Sequence, residues 1–383
     1  MTTPFSTIQN LVPPAVIDLG LGDPSLSLLP LDLIREAAQL RLSQDDNSFL
    51  QYGSEQGDGH FRLALADFLN KGYNFDVKPE GLFVTNGISN ALDLICTLFT
   101  KAGDTIFVEE PTYFLALRIF ADHHLKIISI DTDANGLIIE SLEEKLTELQ
   151  PKFLYLIPTF HNPTGATMSQ ERRDGLVELA KEHDFMIVAD EVYHLLSYAS
   201  ETRKLPKSFA AYSDLENVIS LGSFSKILAP GLRLGWLQAH PERIKRFNTC
   251  GLLDSSGGLN PFTSAIVHGI IESGGLENNI NKLINIYRSR LDVMNSALLK
   301  QLPEVEYIVP DGGYFFWLRF REITDARELR KTAQAFKVDF RPGTLFSSRE
   351  AMKNQIRLCF VHYEEAEILE GILRLKACLH STL

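Results

Sequence analysis

The chain has 383 residues and a formal net charge of −12, which is long enough for two lobes and of the wrong sign for non-specific nucleic-acid binding. Its hydrophobic and charged fractions, 45% and 22%, are those of a globular protein, and no stretch has the apolar length needed to span a bilayer. Four scattered cysteines without a CxxC pair argue against a disulfide framework or a cysteine metal site and fit a reducing compartment.

MTTPFSTIQN has neither a basic n-region nor an apolar h-region, so no secretory leader is expected and the cytoplasm is the default location. Up to Asp45 the only good helical pattern is LDLIREAAQLRL, expected to pack on a C-terminal lobe. Then short apolar runs alternate with amphipathic stretches. The strand candidates are GLFVTN, TIFVEE, KIISID, KFLYLIP, FMIVADE, NVISLGS and RLGWLQA; the helical patterns between them include NALDLICTLF, YFLALRIFADH, SLEEKLTELQ and SQERRDGLVELAKEHD. This alternation predicts an α/β fold with a mostly parallel seven-stranded sheet wrapped by helices, in which ligands collect at the carboxyl ends of strands. From about Asn278 a long charged helix, VEYIVP, GGYFFWLRF and a last amphipathic helix read as a smaller α+β lobe. The expected division is 46–277 for the large domain, with 1–45 and 278–383 forming the small one.

Polar motifs stand where apolar runs end. In SLGSFSKILAPGLRLGW, Lys226 lies between apolar segments, where burial lowers a lysine's pKa and makes it a nucleophile suited to Schiff-base chemistry. Ser223, Ser225 and Arg233 are near enough in sequence to surround one anion; a surface turn is the rival reading. In FMIVADEVY, Asp190 closes a strand and needs a cationic partner, such as a protonated pyridine nitrogen, unless it caps a helix. Tyr193 follows three residues later. Asn162 in IPTFHNPTG has an amide able to donate to a phenolate, although Asn-Pro-x-Gly is also a plain turn. VTNGISNALDLI places Ile88, Ser89 and Asn90 in a helix's first turn, a phosphate-binding position or an ordinary capped loop. Tyr113 is either a stacking ring or core, and Arg357, in the apolar IRLCF, is either a carboxylate ligand or half of a buried ion pair.

Taken in order, NPTG, ADEVY and SFSK-x-LAPGLRLGW with these residues resemble the class I/II pyridoxal-phosphate-dependent aminotransferases of PLP fold type I, over nearly the whole chain. HNPTG with APGLRLGW is most similar to the branch containing 2-aminoadipate and kynurenine aminotransferases. The resemblance implies that pyridoxal 5′-phosphate forms an aldimine with Lys226, which then serves as general base in ping-pong transamination between an L-amino acid and a 2-oxo acid. It assigns Asp190 to the pyridinium nitrogen, Asn162 and Tyr193 to the 3-oxygen and Tyr113 to the ring face. Ser223, Ser225, Arg233 and the turn of Ile88, Ser89 and Asn90 hold the phosphate. Arg357, with Asn162 and the Gly22 backbone, grips the substrate carboxylate. Tyr52 matches the tyrosine lent across a homodimer interface to the neighbour's phosphate.

Two departures accompany the match: the phosphate turn reads GISN, so Ile88 lacks a hydroxyl, and GHFR brings in His60 as a packing substitution. The resemblance also implies cis bonds at Glu110–Pro111 and Asn162–Pro163. Rival functions on the same fold are a β-eliminating C–S lyase, 1-aminocyclopropane-1-carboxylate synthesis and a non-enzymatic regulatory module. The substrate side chain stays open. Arg35, Arg118 and Arg341 are candidates for a distal carboxylate, whereas Phe160, Tyr314, Phe315 and Phe346 line either an apolar pocket or the core.

Overall fold

The computed structural model describes residues 8–73, 75–199, 204–323 and 325–382; the first seven residues, on which the no-leader reading partly rests, lie outside the described residues. All seven apolar runs form strands of one sheet. They are β1 (Leu82–Thr85), β2 (Thr105–Glu110), β3 (Lys126–Asp133), β5 (Phe153–Leu156), β6 (Met186–Asp190), β7 (Val218–Ser223) and β8 (Gly235–Ala239). A two-residue edge strand, β4 (Gly136–Leu137), folds back on β3 and makes the sheet eight-stranded.

The spatial order is β1-β8-β7-β6-β5-β2-β3-β4. Pairing is parallel from β7 through β6, β5 and β2 to β3, and antiparallel where β8 lies between β7 and β1. Every residue of β1 and of β5 to β8 is buried. That is why these strands read as continuous apolar runs and not as alternating ones: helices cover both faces. The antiparallel step has a local cause. Between Ser223 and Gly235 the chain forms only a short 3-10 turn at Pro230–Leu232, with no crossover helix to bring a parallel strand alongside. Lys226 and Arg233 are consequently delivered by one loop at the carboxyl end of β7.

The amphipathic stretches become α1 (Leu31–Leu42), α2 (Gly59–Tyr73), α3 (Ile88–Phe99), α4 (Phe114–Asp122), α5 (Ile139–Leu146) and α6 (Gln170–Glu182). α3 buries Ala91, Leu92, Leu94, Ile95 and Cys96, a stripe at helical spacing turned to the sheet. α6 begins where Ser169 accepts the Arg172 N–H at 3.3 Å, an N-cap bond. Beyond the sheet come α7 (Pro261–Glu272), α8 (Gly275–Gln301) and α9 (Glu365–Thr382).

The C-terminal lobe holds an antiparallel sheet of β9 (Phe315–Arg319), β10 (Arg341–Pro342) and β11 (Gln355–Cys359), with β11 central. VEYIVP contributes one bridge, Glu306 to Arg319, and no strand. The N-terminal segment divides. Ile17–Asp18 pairs with Val338–Asp339 and the Leu19 carbonyl accepts the Cys359 N–H at 2.6 Å, whereas α1 packs against α7. All four cysteines are buried and unbridged. His60 stacks on His268. Among the described residues no helix is long and apolar enough to cross a membrane and no metal-binding cluster occurs.

Candidate active site

The carboxyl ends of β5, β6 and β7 converge with β11 and the N-terminal segment on one set of polar side chains. Lys226, three residues beyond β7, donates from Nζ to the Gly22 carbonyl at 2.7 Å. Its own carbonyl accepts the Tyr314 hydroxyl at 3.1 Å, and Nζ lies 5.4 Å from the Tyr314 ring centroid. Burial lowers the lysine's pKa, because the charged form loses its hydration. Asp190 ends β6 at 4% exposure. It accepts the Tyr155 hydroxyl at 2.9 Å and the Val192 N–H at 3.3 Å, neither of them a cation. Burial pushes its carboxyl up to about 6 against the pull of those two bonds.

Arg357 sits in β11, buried, with its guanidinium over Phe315 at 4.0 Å and Phe346 at 4.9 Å. Nη1 donates to Asn162 Oδ1 and Nη2 to the Gly20 carbonyl, both at 2.7 Å, while Nε has no protein partner. Burial brings its pKa down to about 10, so it stays charged near neutrality. Because guanidinium only donates, the oxygen of the Asn162 amide must face it, which leaves Nδ2 to donate elsewhere. Tyr193 is buried beside Tyr314 and Phe315, at centroid distances of 5.2 and 5.9 Å. Tyr113 precedes α4, and burial raises its phenol to about 12. The bonds before Pro111 and Pro163 are both cis, as expected.

A second group of residues gathers the kinds of donor that an anion needs. Gly87, at φ +83, turns the chain from β1 into α3, whose first turn has no side-chain cap, leaving amide donors of the Ile88–Asn90 turn open. Asn90 instead reaches back to the Asn86 N–H at 3.1 Å. Arg233, itself left-handed at φ +47, donates to the Asn86 and Pro230 carbonyls at 3.0 and 3.2 Å. A Cβ at Gly87 would lie 2.8 Å from Arg233 Nη2, so only glycine leaves this cradle open. The Ser223 hydroxyl donates to that of Ser225 at 3.0 Å. Ile88 packs on the core and Ser89 is exposed. Tyr52 projects outward, 79% exposed.

These groups fit pyridoxal phosphate: a buried carboxylate lacking a cation, an amine of lowered pKa, donors for a phenolate and a helix terminus with arginine and hydroxyls for a phosphate. The family model for aminotransferase class I and II matches residues 14–375. The chain belongs to the class I and II aminotransferases.

This aminotransferase is 38% identical to aromatic-amino-acid aminotransferase 1 of Thermococcus litoralis, over 94% of this chain and 87% of the relative. It is 31% identical to 2-aminoadipate transaminase of Thermus thermophilus, over 99% and 94%. The solved kynurenine aminotransferase of Pyrococcus horikoshii, in complex with PMP, superposes with a TM-score of 0.90 at 34% identity, covering 96% of this chain and 92% of that one. The expected family, fold, cofactor and transaminase activity therefore hold: this is an α/β enzyme of PLP fold type I that uses pyridoxal phosphate.

Of the residues that the resemblance assigns to cofactor and substrate carboxylate, all but Tyr52 lie in these two groups. The structure adds Tyr155, whose phenol in a fully buried strand had to find a partner and meets the neighbouring strand's carboxylate. It also adds Gly20, whose carbonyl meets Arg357, while the Gly22 carbonyl is taken by Lys226. Of the candidate second cations, Arg35 pairs with Asp32 on the surface and Arg341 is held bidentate by Asp18.

Proposed function

We propose that this transaminase takes an L-amino acid with a large uncharged side chain, aromatic by preference, and that the residues above divide the work as follows. Bound pyridoxal phosphate would supply an aldehyde carbon to carry the amino group between amino acid and 2-oxo acid and a ring to withdraw electrons from the α-carbon. Lys226 would hold the cofactor through its aldehyde carbon and, once released, would carry the proton to and from the substrate's α-carbon; its lowered pKa keeps the amine available as a base. Asp190 holds a proton on the ring nitrogen, and that positive partner in turn keeps the buried carboxylate ionised. Asn162, through Nδ2, and Tyr193 donate to the 3-oxygen. Tyr113 covers the ring. Arg233, Ser223, Ser225 and the Ile88–Asn90 turn hold the phosphate.

Arg357 binds the α-carboxylate and so decides which α-carbon bond faces the ring. The observation supporting an aromatic substrate is its setting, between Phe315 and Phe346 with the neighbouring Arg341 already neutralised by Asp18. Names of relatives that act on aromatic amino acids and kynurenine support the same choice.

The enzyme works as a homodimer in which Tyr52 completes the neighbour's phosphate site, a reading supported by its exposed ring. Its lobes divide as 46–277 with α1 against the strand segment around Ile17 with 278–383, a reading supported by α1 packing on α7 while Ile17–Asp18 pairs with Val338–Asp339, and four buried thiols support a cytoplasmic setting. The test is Lys226→Ala with a donor panel. The variant should lose the mass of the pyridoxyl group fixed by borohydride, and turnover by orders of magnitude. The wild type should prefer aromatic donors to 2-aminoadipate and glutamate. Retained trapping in the variant, or a higher kcat/KM for the acidic donors, would overturn the reading.

A further inference from the structure

This inference deepens the reading of Arg357 and Lys226 given above. Both cations are met by carbonyls of one short turn. The Gly20 carbonyl accepts from Arg357 Nη2 and the Gly22 carbonyl from Lys226 Nζ, each at 2.7 Å. A peptide turn has little stiffness of its own, so something must hold both oxygens in place. Asp18 is the residue at the turn's start. Its carbonyl accepts the Leu21 N–H at 3.2 Å, and its Oδ1 accepts the Gly20 N–H at 2.9 Å. The same carboxylate takes both Nη atoms of Arg341 at 2.9 Å, a fork-on-fork pair of the strong, orienting kind.

Arg341 is itself the cross-strand partner of Arg357, in register across β10 and β11. Its side chain lies over Gly20 so closely that a Cβ there would sit 2.6 Å from Nη1. The Asp18 N–H donates to the Tyr363 hydroxyl at 2.9 Å, and the Leu19 carbonyl accepts the Cys359 N–H, tying the turn to β11's end from the other side.

We propose that Asp18 is a positioning residue for the transamination site: through Arg341 it fixes the 18–22 turn and so holds the Gly20 carbonyl on Arg357, the contact that persists when Lys226 carries the cofactor. Arg357 then meets an incoming carboxylate with its fork already aimed, and the affinity gained is that of an arrangement made in advance. Asp18 has a second effect of the same sign. Arg341 and Arg357 are like charges on neighbouring strands, and the Asp18 carboxylate offsets one of them.

The experiment uses holoenzyme carrying Asp18→Ala, Asp18→Asn, Arg341→Met, the Asp18→Ala/Arg341→Met double and Arg357→Lys. It measures binding of 3-phenylpropionate, a carboxylate with no amino group to transfer, together with KM and kcat for an aromatic donor. Asp18→Ala and Arg341→Met should each weaken 3-phenylpropionate about tenfold, the effect of one lost bond to a charged group, and raise KM while kcat changes little. The double variant should be no weaker than Asp18→Ala, since Arg341 acts through the Asp18 carboxylate. Asp18→Asn keeps an oxygen for the Gly20 N–H and should fall between Asp18→Ala and wild type. A staple that only supported the fold would lower the active fraction, and hence kcat, at constant KM. Wild-type binding in Arg341→Met, or additive losses in the double, overturns the proposal, and Arg341→Met decides alone if Asp18→Ala does not fold. If those variants bind normally while Arg357→Lys does not, this proposal fails and the carboxylate site stands. Normal binding in Arg357→Lys would sink the carboxylate site itself.

Discussion

Asp190→Asn in the cofactor-free protein separates the stability of the fold from the chemistry of the site. The carboxyl is 4% exposed and burial raises its pKa from 3.8 to about 6. In the folded chain the proton is held more tightly than in the unfolded one, so the native state binds more protons between those two values. Stability contributed by this group therefore falls as pH rises through that window, and the deficit is complete above the folded pKa. A shift of roughly two units corresponds to about 3 kcal/mol at pH 8, and about half of that is already present near pH 5. Asparagine occupies the same space. Its oxygen accepts the Val192 N–H and its amide donates to Tyr155, whose hydroxyl turns to accept. The variant should therefore be more stable than wild type by ~3 kcal/mol at pH 8, with the gap narrowing toward pH 5. Urea unfolding of both apoproteins across that range gives the difference directly. Cofactor affinity should move the other way, because the ring nitrogen loses its anion. Parallel pH–stability curves for the two apoproteins would refute the assignment of a raised pKa to Asp190.

Gly87→Ala adds a methyl group 2.8 Å from Arg233 Nη2 at φ +83, and should weaken binding of pyridoxal phosphate about tenfold or more, read by fluorescence titration of apoenzyme. Arg357→Lys exchanges a fork for a point charge and gives up one of two bonds along with its stacking on Phe315. We expect KM for the amino donor to rise about a hundredfold, roughly 3 kcal/mol, with the cofactor's absorbance unchanged. For Tyr52, complementation is the sharper assay. Mixed dimers of Tyr52→Phe and Lys226→Ala subunits should hold one complete site each and regain activity that neither homodimer has in full; no gain on mixing would place Tyr52 outside the neighbour's site.

The strands were legible because covered faces demand unbroken apolar runs, and ADEVY and SFSK were legible because a charge at the end of such a run needs a reason. Periodicity does not encode what lies on the next strand. Tyr155 stands in KFLYLIP as one more residue of an apolar run; only the register that sets Leu156 beside Ala189 brings its hydroxyl to Asp190. The antiparallel β8 was equally invisible, since RLGWLQA is as apolar as its parallel neighbours. The Gly20 contact and the pairing of Arg341 with Asp18 escaped for a simpler reason. Both join residues more than 300 positions apart, and no local pattern carries that information.

The single loop between β7 and β8 has a consequence for assembly as the chain is made. Lys226 and Arg233 arrive together, after β1, β2, β5 and β6 have been synthesised, so the proposed cofactor half is complete in sequence by Ala239. The substrate half waits for Arg357, which must find the Gly20 carbonyl, 337 positions earlier in the chain. A nascent chain thus has the parts to hold its cofactor before it has the parts to hold an amino acid. By these proposed roles the cofactor's ligands close within the middle of the chain, whereas substrate recognition is the last and longest-range closure, joining β11 to the N-terminal segment.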